Sequence, residues 1–405
     1  MRKYPNILVS VDKSKSAERK MLRGLTKYAQ LNGPWRLFVE INGPWGLFTQ
    51  DPFRVNIQTK FSKEVLLQSA NRIDGVFVHA KNLKIGQEII KMGIPAVVIP
   101  IEKPIPGIPN TLDQWDLLGK IAAEHFIDRG FKNFGYAGIE GIWWSQNRFE
   151  SFRKNINQAG FEVDYYQVPK LSRLTNWETE ERLMSKWVKR LPKPVALLAW
   201  NDDFGEHLIK AANIARVIIP DEVAVLGIDD DEIVCDLCIP QLSSISQDYE
   251  KIGYEIGQLL DQLMRGQKWN GQNLCVVPTH VTTRQSTDVL AIEDSELATA
   301  INYIREESKK RKISVGDVVY ATNLSRRALE NHFSKELNCS INKKIRYYRV
   351  KHLARVLVET DFPIVRIASD MGFSDTKNIS SYFQKEMGLT PQAYRKKFSE
   401  KHLRT

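Results

Sequence analysis

Ile364-Val-Arg-Ile-Ala-Ser-Asp-Met-Gly372-Phe-Ser-Asp375, then Tyr382-Phe383-Gln-Lys385, then Gly388-Leu-Thr-Pro391-Gln-Ala-Tyr394-Arg395, lies close to the end of a chain of 405 residues. Ala368 and Gly372 stand four apart. The small side chain lets two helices cross closely, and glycine accepts the left-handed turn between them. A weaker copy precedes it: Val318-Val-Tyr-Ala-Thr-Asn323-Leu-Ser-Arg-Arg-Ala-Leu329. Asn323 occupies the turn there, as the next most tolerant residue. The endings also match, Phe333-Ser-Lys-Glu-Leu337 against Phe383-Gln-Lys-Glu-Met387. Two helix-turn-helix units in tandem are expected.

The second helix of each unit is expected over about Ser325–Leu337 and Asp375–Met387, with Leu329, Phe333, Ile379 and Phe383 turned inward. That leaves Ser325, Arg326, Arg327 and Asn331 on one outer face. Asp375, Thr376, Lys377, Asn378 and Ser381 occupy the other. Arg suits guanine edges, Asn suits adenine, and Lys and Ser serve bases or phosphates. Leu297, Ala300, Ile301 and Ile304 mark the apolar face of a preceding helix. Between the units, Ser340 to Glu359 reads as one connecting helix roughly 30 Å long, close to the ~34 Å of one DNA turn. Pro363 opens the next helix, where a missing N–H costs nothing. These motifs resemble the DNA-binding domain of the AraC/XylS activator family.

Charge agrees. Of the formal +10, Ala291–Thr405 carries 22 basic and 14 acidic residues, a balance of +8; the remainder holds 36 and 34, or +2. The excess sits where phosphates are expected. No segment is apolar enough to cross a bilayer, no secretion leader is read ahead of Ile7, and four cysteines suit a reducing compartment. A cytoplasmic location is expected.

The rest of the chain alternates strand-like and helix-like runs. Ile7–Val11, Leu37–Ile41, Gly75–Val78, Ala96–Ile101, Phe134–Ala137, Val195–Trp200 and Val223–Ile228 are short and apolar, as strands buried on both faces are. Amphipathic stretches such as Glu18–Leu31, Leu117–Arg129 and Phe204–Arg216 lie between them. The alternation predicts doubly wound parallel α/β sheets, and the length suits two lobes. Asp12, Asp113, Asn201 and Asp229 follow strand ends, where ligands bind in such sheets; each also suits a helix N-cap.

Ala199-Trp-Asn-Asp-Asp-Phe-Gly205, Ile219-Pro-Asp-Glu-Val-Ala-Val-Leu-Gly-Ile-Asp-Asp230 and Pro240-Gln-Leu-Ser-Ser-Ile-Ser-Gln247-Asp248 occur in that order. They resemble the effector-binding core of lac-repressor-type regulators, itself similar to periplasmic sugar-binding proteins. The resemblance implies ligand contacts at Arg148, Asn201, Asp229 and Gln247, and at Asp113. Trp200 is a further candidate, because an indole covers a sugar ring face at little entropic cost; Trp143 and Trp144 are weaker ones. That family's own DNA-binding segment is not found ahead of the first strand. The order of the two parts resembles that of xylose-responsive activators.

The resemblances together imply a sugar sensor over residues 1–288 and an all-α DNA-binding domain over 289–405. They imply operator DNA, a second copy of the chain and RNA polymerase as partners, with D-xylose or a similar aldopentose as effector. A regulator for another monosaccharide is the alternative. A sugar-acting enzyme is disfavoured, since no catalytic constellation is read, and no cofactor or metal is expected. Cys235-x-x-Cys238 has metal or redox spacing but no second ligand pair nearby in sequence. Asn32-Gly-Pro-Trp-x-Leu-Phe recurs from Asn42, with no functional reading.

Overall fold

The computed structural model describes residues 4–11, 14–40, 73–80, 83–169, 177–292, 294–337, 339–373 and 376–398. Asp12 and the second Asn-Gly-Pro-Trp copy lie outside them. The chain divides into two compact units: residues 1–127 with 132–289, and 128–131 with 290–405.

The first unit is built on two sheets. In one, β1 (Asn6–Ser10), β2 (Arg36–Glu40), β3 (Gly75–Ala80) and β4 (Ala96–Pro100) run parallel in the order β2-β1-β3-β4. Among the described residues between β1 and β4, the helices are α1 (Ser16–Asn32) and α2 (Leu83–Lys91). After β4 the chain crosses through β5 (Thr111–Asp113) into a second lobe. That lobe adds α3 (Trp115–Ile127), β6 (Asn133–Ile139), α4 (Trp143–Gln158), β7 (Val163–Val168) and α5 (Trp177–Arg190). It continues with β8 (Val195–Ala199), α6 (Asp202–Ala215), β9 (Val223–Ile228), α7 (Glu232–Leu237) and β10 (Ser243–Gln247). Its sheet order is β12-β10-β9-β8-β6-β7, parallel except for β12 (Pro278–Thr282). In both sheets the order reverses between neighbours, β1 with β3 and β6 with β8. Ligands bind beyond the strand ends at such switch points.

α8 (Tyr249–Met264) returns to the first lobe. Ile252, Ile256 and Leu260 share a core with Ile7, Val9, Leu25 and Phe77. It crosses α1 almost backbone to backbone. A Cβ on Gly24 would lie 1.9 Å from the Glu250 carbonyl oxygen, and one on Gly253 would lie 2.0 Å from that of Met21. β11 (Leu274–Val276) pairs with β5. The seven expected strands are present. β7, β10 and β12 do not show as apolar runs in the sequence. β10 is Ser-Ser-Ile-Ser-Gln, and its buried Ser243 and Ser244 hydroxyls are hydrogen-bonded to Arg284 and Asp202.

The second unit is helical: α9 (Ser295–Lys310), α10 (Val315–Tyr320), α11 (Arg326–Leu337), α12 (Ile341–Glu359), α13 (Ile364–Asp370), α14 (Thr376–Met387) and α15 (Pro391–Phe398). It holds two cores. Leu297, Ile301, Val318, Leu329 and Phe333 form one, and Leu353, Leu357, Ile367, Ile379 and Phe383 the other. α12 serves both, giving Ile341 and Ile345 to the first and Val350 to the second. Nineteen residues make it about 28 Å long. Arg349 fastens the halves: it donates to the carbonyls of Arg311 at 2.6 Å and Met371 at 2.7 Å. Gly372 has the expected left-handed backbone, with φ +67°. Asn323 does not; among the described residues only Arg216, Asp229 and Asp230 are left-handed non-glycines. The first turn is held instead by Glu296, whose carboxylate accepts from the Asn323 backbone and side-chain amides at 2.7 and 2.9 Å.

The loop residue Asp128 belongs to this second unit, which the sequence reading did not anticipate. It pairs with Lys344 at 3.2 Å and Lys351 at 3.1 Å and accepts from the Tyr347 hydroxyl. Burial opposes its charge, but Lys351 and Lys344 hold its carboxyl below the ordinary range.

Candidate functional site

The strand ends of the first unit converge on a cavity of about 140 Å³. Arg148, on the inner face of α4, is its electrostatic centre and is only 6% exposed. Its Nε and Nη2 donate to one carboxylate oxygen of Asp113, at 3.0 and 2.6 Å, and its Nη1 donates to the Trp200 carbonyl. Asp229 Oδ1 lies 3.6 Å from Nη2. Burial works against the guanidinium charge, yet Asp113 and Asp229 raise its pKa.

Asp229 follows β9 with φ +103°, where a residue with a Cβ rarely sits. Such strain persists where surrounding contacts over-determine it. Here Tyr249 donates to Asp229 Oδ1 at 2.6 Å, and Gln247 Nε2 does so at 3.2 Å. Burial pushes the Asp229 carboxyl up to about 6, against the pull of Arg148 and the Tyr249 hydroxyl. The Asp202 carboxyl is raised as well, by its own burial and then by Asp229.

Asn201 caps α6, its Oδ1 accepting from Phe204 N at 3.0 Å, while its Nδ2 donates to Asp203 at 3.0 Å. It lines the cavity as well, so the cap and ligand readings are compatible. From the other lobe the start of α1 reaches across. Lys15 pairs with Asp203 at 2.8 Å, the Ser16 amide donates to Asp231 at 3.0 Å, and Lys20 donates to the Asp230 carbonyl at 3.0 Å. These contacts hold the two lobes together beside the cavity.

Asp113, Arg148, Asn201 and Asp229 therefore meet at one cavity. Two other candidates stand elsewhere. Trp200 is stacked on Phe204, with ring centroids 4.0 Å apart, and its indole is core; only its backbone serves the site, by holding Arg148. Gln247 is 2% exposed and stands behind Asp229 as its support. The aromatic wall comes from Trp115, Trp143 and Trp144. Trp115 and Trp143 meet edge to face at 5.4 Å, and the Arg148 guanidinium lies over the Trp144 ring at 5.2 Å.

In the second unit Leu329, Phe333, Ile379 and Phe383 are fully buried. Their burial turns Ser325, Arg326, Arg327 and Asn331 outward on α11, and Asn378 and Ser381 outward on α14. Arg326 pairs with Glu330 one turn on at 2.9 Å, and Ser325 caps the helix by accepting from Ala328 N at 3.3 Å. Asp375 lies outside the described residues, as do the side chains of Thr376 and Lys377.

Residues 123–287 match the periplasmic binding protein-like domain and residues 319–397 a helix-turn-helix domain. The xylose operon regulatory protein of Haemophilus influenzae is 26% identical over 97% of this chain and 98% of its own. That of Escherichia coli K12 is 25% identical over 98% of each. A solved structure of the xylose-binding transcription activator xylR covers 98% of this chain and 99% of that one, with TM-score 0.60 and 24% identity. From end to end the chain is built like a xylose operon regulator. Both domains lie in the order expected from the sequence, and so does the fold class.

Sequence reasoning missed Trp115, Tyr249 and the residues that the first lobe lends to the cavity, among them Lys15, Glu18 and His79. Glu18 and Lys15 sit on an otherwise ordinary amphipathic helix start. Tyr249 was the more legible, two residues beyond Gln247 and one past the α8 cap Asp248. The Cys235 and Cys238 thiols are buried, which raises both pKa values, Cys238 to about 12.

Proposed function

We propose that this protein is a cytoplasmic, sugar-responsive transcription activator that takes a neutral aldopentose, D-xylose foremost, between the lobes of its first unit. Asp113, Arg148, Asn201 and Asp229 hydrogen-bond the sugar hydroxyls, with Gln247 and Tyr249 holding Asp229 in place. The observation that carries the reading is the buried Asp113–Arg148–Asp229 network on a cavity walled by tryptophans. Carboxylates and guanidinium match vicinal hydroxyls, and the indoles suit an apolar ring face. The volume fits one small polyol; drug-sized pockets run to ~300–1,000 Å³. The charge of the lining selects within polyols. Glu18, Asp113, Asp203 and Asp229 outnumber Lys15 and Arg148, which repels sugar phosphates and sugar acids.

The division of labour falls at 288/289, with residues 289–405 binding operator DNA through the outer faces of α11 and α14. A pair of such faces joined by one rigid helix suits successive major grooves. The chain acts as a homodimer on DNA and hands its signal to RNA polymerase, without catalysing a reaction. Support for the dimer comes from Ile214, Ile218, Ile233, Leu237 and Ile239, each half or more exposed on the first unit, an apolar surface that a partner copy would cover.

Calorimetric titration with D-xylose, D-glucose and D-xylose 5-phosphate tests the reading. Binding of the neutral pentose and rejection of the phosphate are expected. Tighter binding of the phosphate, or of no neutral sugar, overturns it.

A further inference from the structure

We infer that Glu18 and His79 form a hydroxyl-reading pair on the first lobe's wall of the cavity and decide which pentose epimer the protein prefers. The inference rests on the sugar reading above and assigns that site its selector.

Glu18 lies in the first turn of α1, and His79 lies near the carboxyl end of β3. Their side chains meet at 2.8 Å, Nε2 to Oε1, and are 7% and 4% exposed. Both line the cavity, next to apolar neighbours from the same lobe, Ala17, Met21, Ile99 and Pro100. Neither belongs to the apolar clusters of that lobe. Burying a carboxylate against an imidazole is costly, and an apolar pair of similar volume would pack at least as well. Packing alone therefore does not account for a Glu–His pair here.

The pair is also held rigidly. The close crossing of α1 and α8 at Gly24 and Gly253 fixes the helix that carries Glu18, and His79 is fixed by strand pairing with Ile99. A carboxylate accepts, and an imidazole donates or accepts according to its tautomer. A hydroxyl, which both donates and accepts, can bond to both members of such a pair. On the opposite wall Asp113, Arg148, Asp229 and Tyr249 hold one another in place, so each wall presents its own fixed set of partners to the sugar. An epimer with one inverted hydroxyl would leave the Glu18–His79 pair facing a C–H. Sites built to hydrogen-bond a hydroxyl discriminate strongly against ligands that fail to supply it.

The test is calorimetry on the full chain with D-xylose and its three single-centre epimers, D-lyxose, D-ribose and L-arabinose. The unchanged protein is compared with Glu18→Gln and His79→Gln, with melting curves for each. Affinity for the preferred sugar should fall about ten- to hundredfold. Its ratio to at least one epimer should fall about tenfold, while the other ratios hold. A purely structural role would lower all four affinities together. Ratios unchanged to within about twofold in either folded variant overturn the inference. If one variant fails to fold, the other decides, and Glu18→Asp replaces a lost Glu18→Gln. Should the unchanged protein bind none of the four sugars, the reading of the cavity itself falls, and this inference with it.

Discussion

Arg148 and Arg326 are the same residue under opposite conditions. Arg148 is buried, bonded to Asp113, close to Asp229 and capped by a backbone carbonyl. Arg326 stands exposed on α11, tied to Glu330 one turn away. Surface pairs of the second kind contribute roughly 0–1 kcal/mol and weaken in salt. Breaking a buried pair leaves uncompensated charge and costs about 3–5 kcal/mol. The sugar pocket thus carries Arg148 at the expense of stability, whereas the outer face of α11 carries Arg326 almost freely. A pocket that must meet one small polyol needs fixed, desolvated partners. A surface that must meet phosphates and base edges needs available ones.

The contrast is broken most severely at Arg148. Arg148→Met strands Asp113 and Asp229 and should lower unfolding free energy by about 3–5 kcal/mol in denaturant titrations, with loss of sugar binding. Arg326→Ala should change stability by less than about 1 kcal/mol in the same titrations. A similar cost for both would mean that the Arg148 network is not the buried keystone it resembles.

Next comes Asp229→Ala, which removes one acceptor and keeps a Cβ at φ +103°. Sugar affinity should drop about ten- to hundredfold by calorimetry while the protein still folds. An unchanged affinity would take Asp229 out of the ligand set. On the helical unit, Arg326→Ala or Asn378→Ala should weaken binding to a selected DNA duplex by about 1–3 kcal/mol and relax preference at one base position. Uniform weakening without relaxed preference would reassign the residue to phosphate.

The smallest effect is on pH dependence. Asp229 sits at about 6 in the fold, above the ~3.9 of a free carboxyl. Its contribution to stability is therefore complete below about 4 and lost as pH rises through about 6. A sugar hydroxyl donating to the carboxylate needs the ionised form. Affinity should fall about fourfold from pH 7.5 to 5.5, and Asp229→Asn should flatten that slope. A slope that persists in the variant would place the titrating group elsewhere.

Legibility in the sequence followed the same divide. The recognition helices were plain because Leu329, Phe333, Ile379 and Phe383 sit at helical spacing, and burying them turns the polar faces out. The strands that show as apolar runs were plain for a similar reason. Asp113, Asn201 and Asp229 could be proposed because they follow strand ends, and Arg148 through the family resemblance alone. What sequence could not convey was the second lobe's inner geometry: Trp200 turning into the core, Gln247 standing behind Asp229. Nor could it convey pairs made across long separations, such as Glu18 with His79 or Lys15 with Asp203. Asn323 shows a local reading overruled, because Glu296, 27 residues earlier, supplies the contacts that hold the turn.

The central claim is that the sugar cavity and the DNA-reading helices are coupled in one chain. The most direct test takes a duplex selected from a random pool by the full chain with D-xylose, and measures its affinity with and without saturating D-xylose. Sugar affinity is then measured with and without that duplex. D-xylose should tighten DNA binding, the duplex should tighten sugar binding by the same factor, and Asp229→Ala should lose the response. Equal DNA affinity with and without bound sugar would contradict the account.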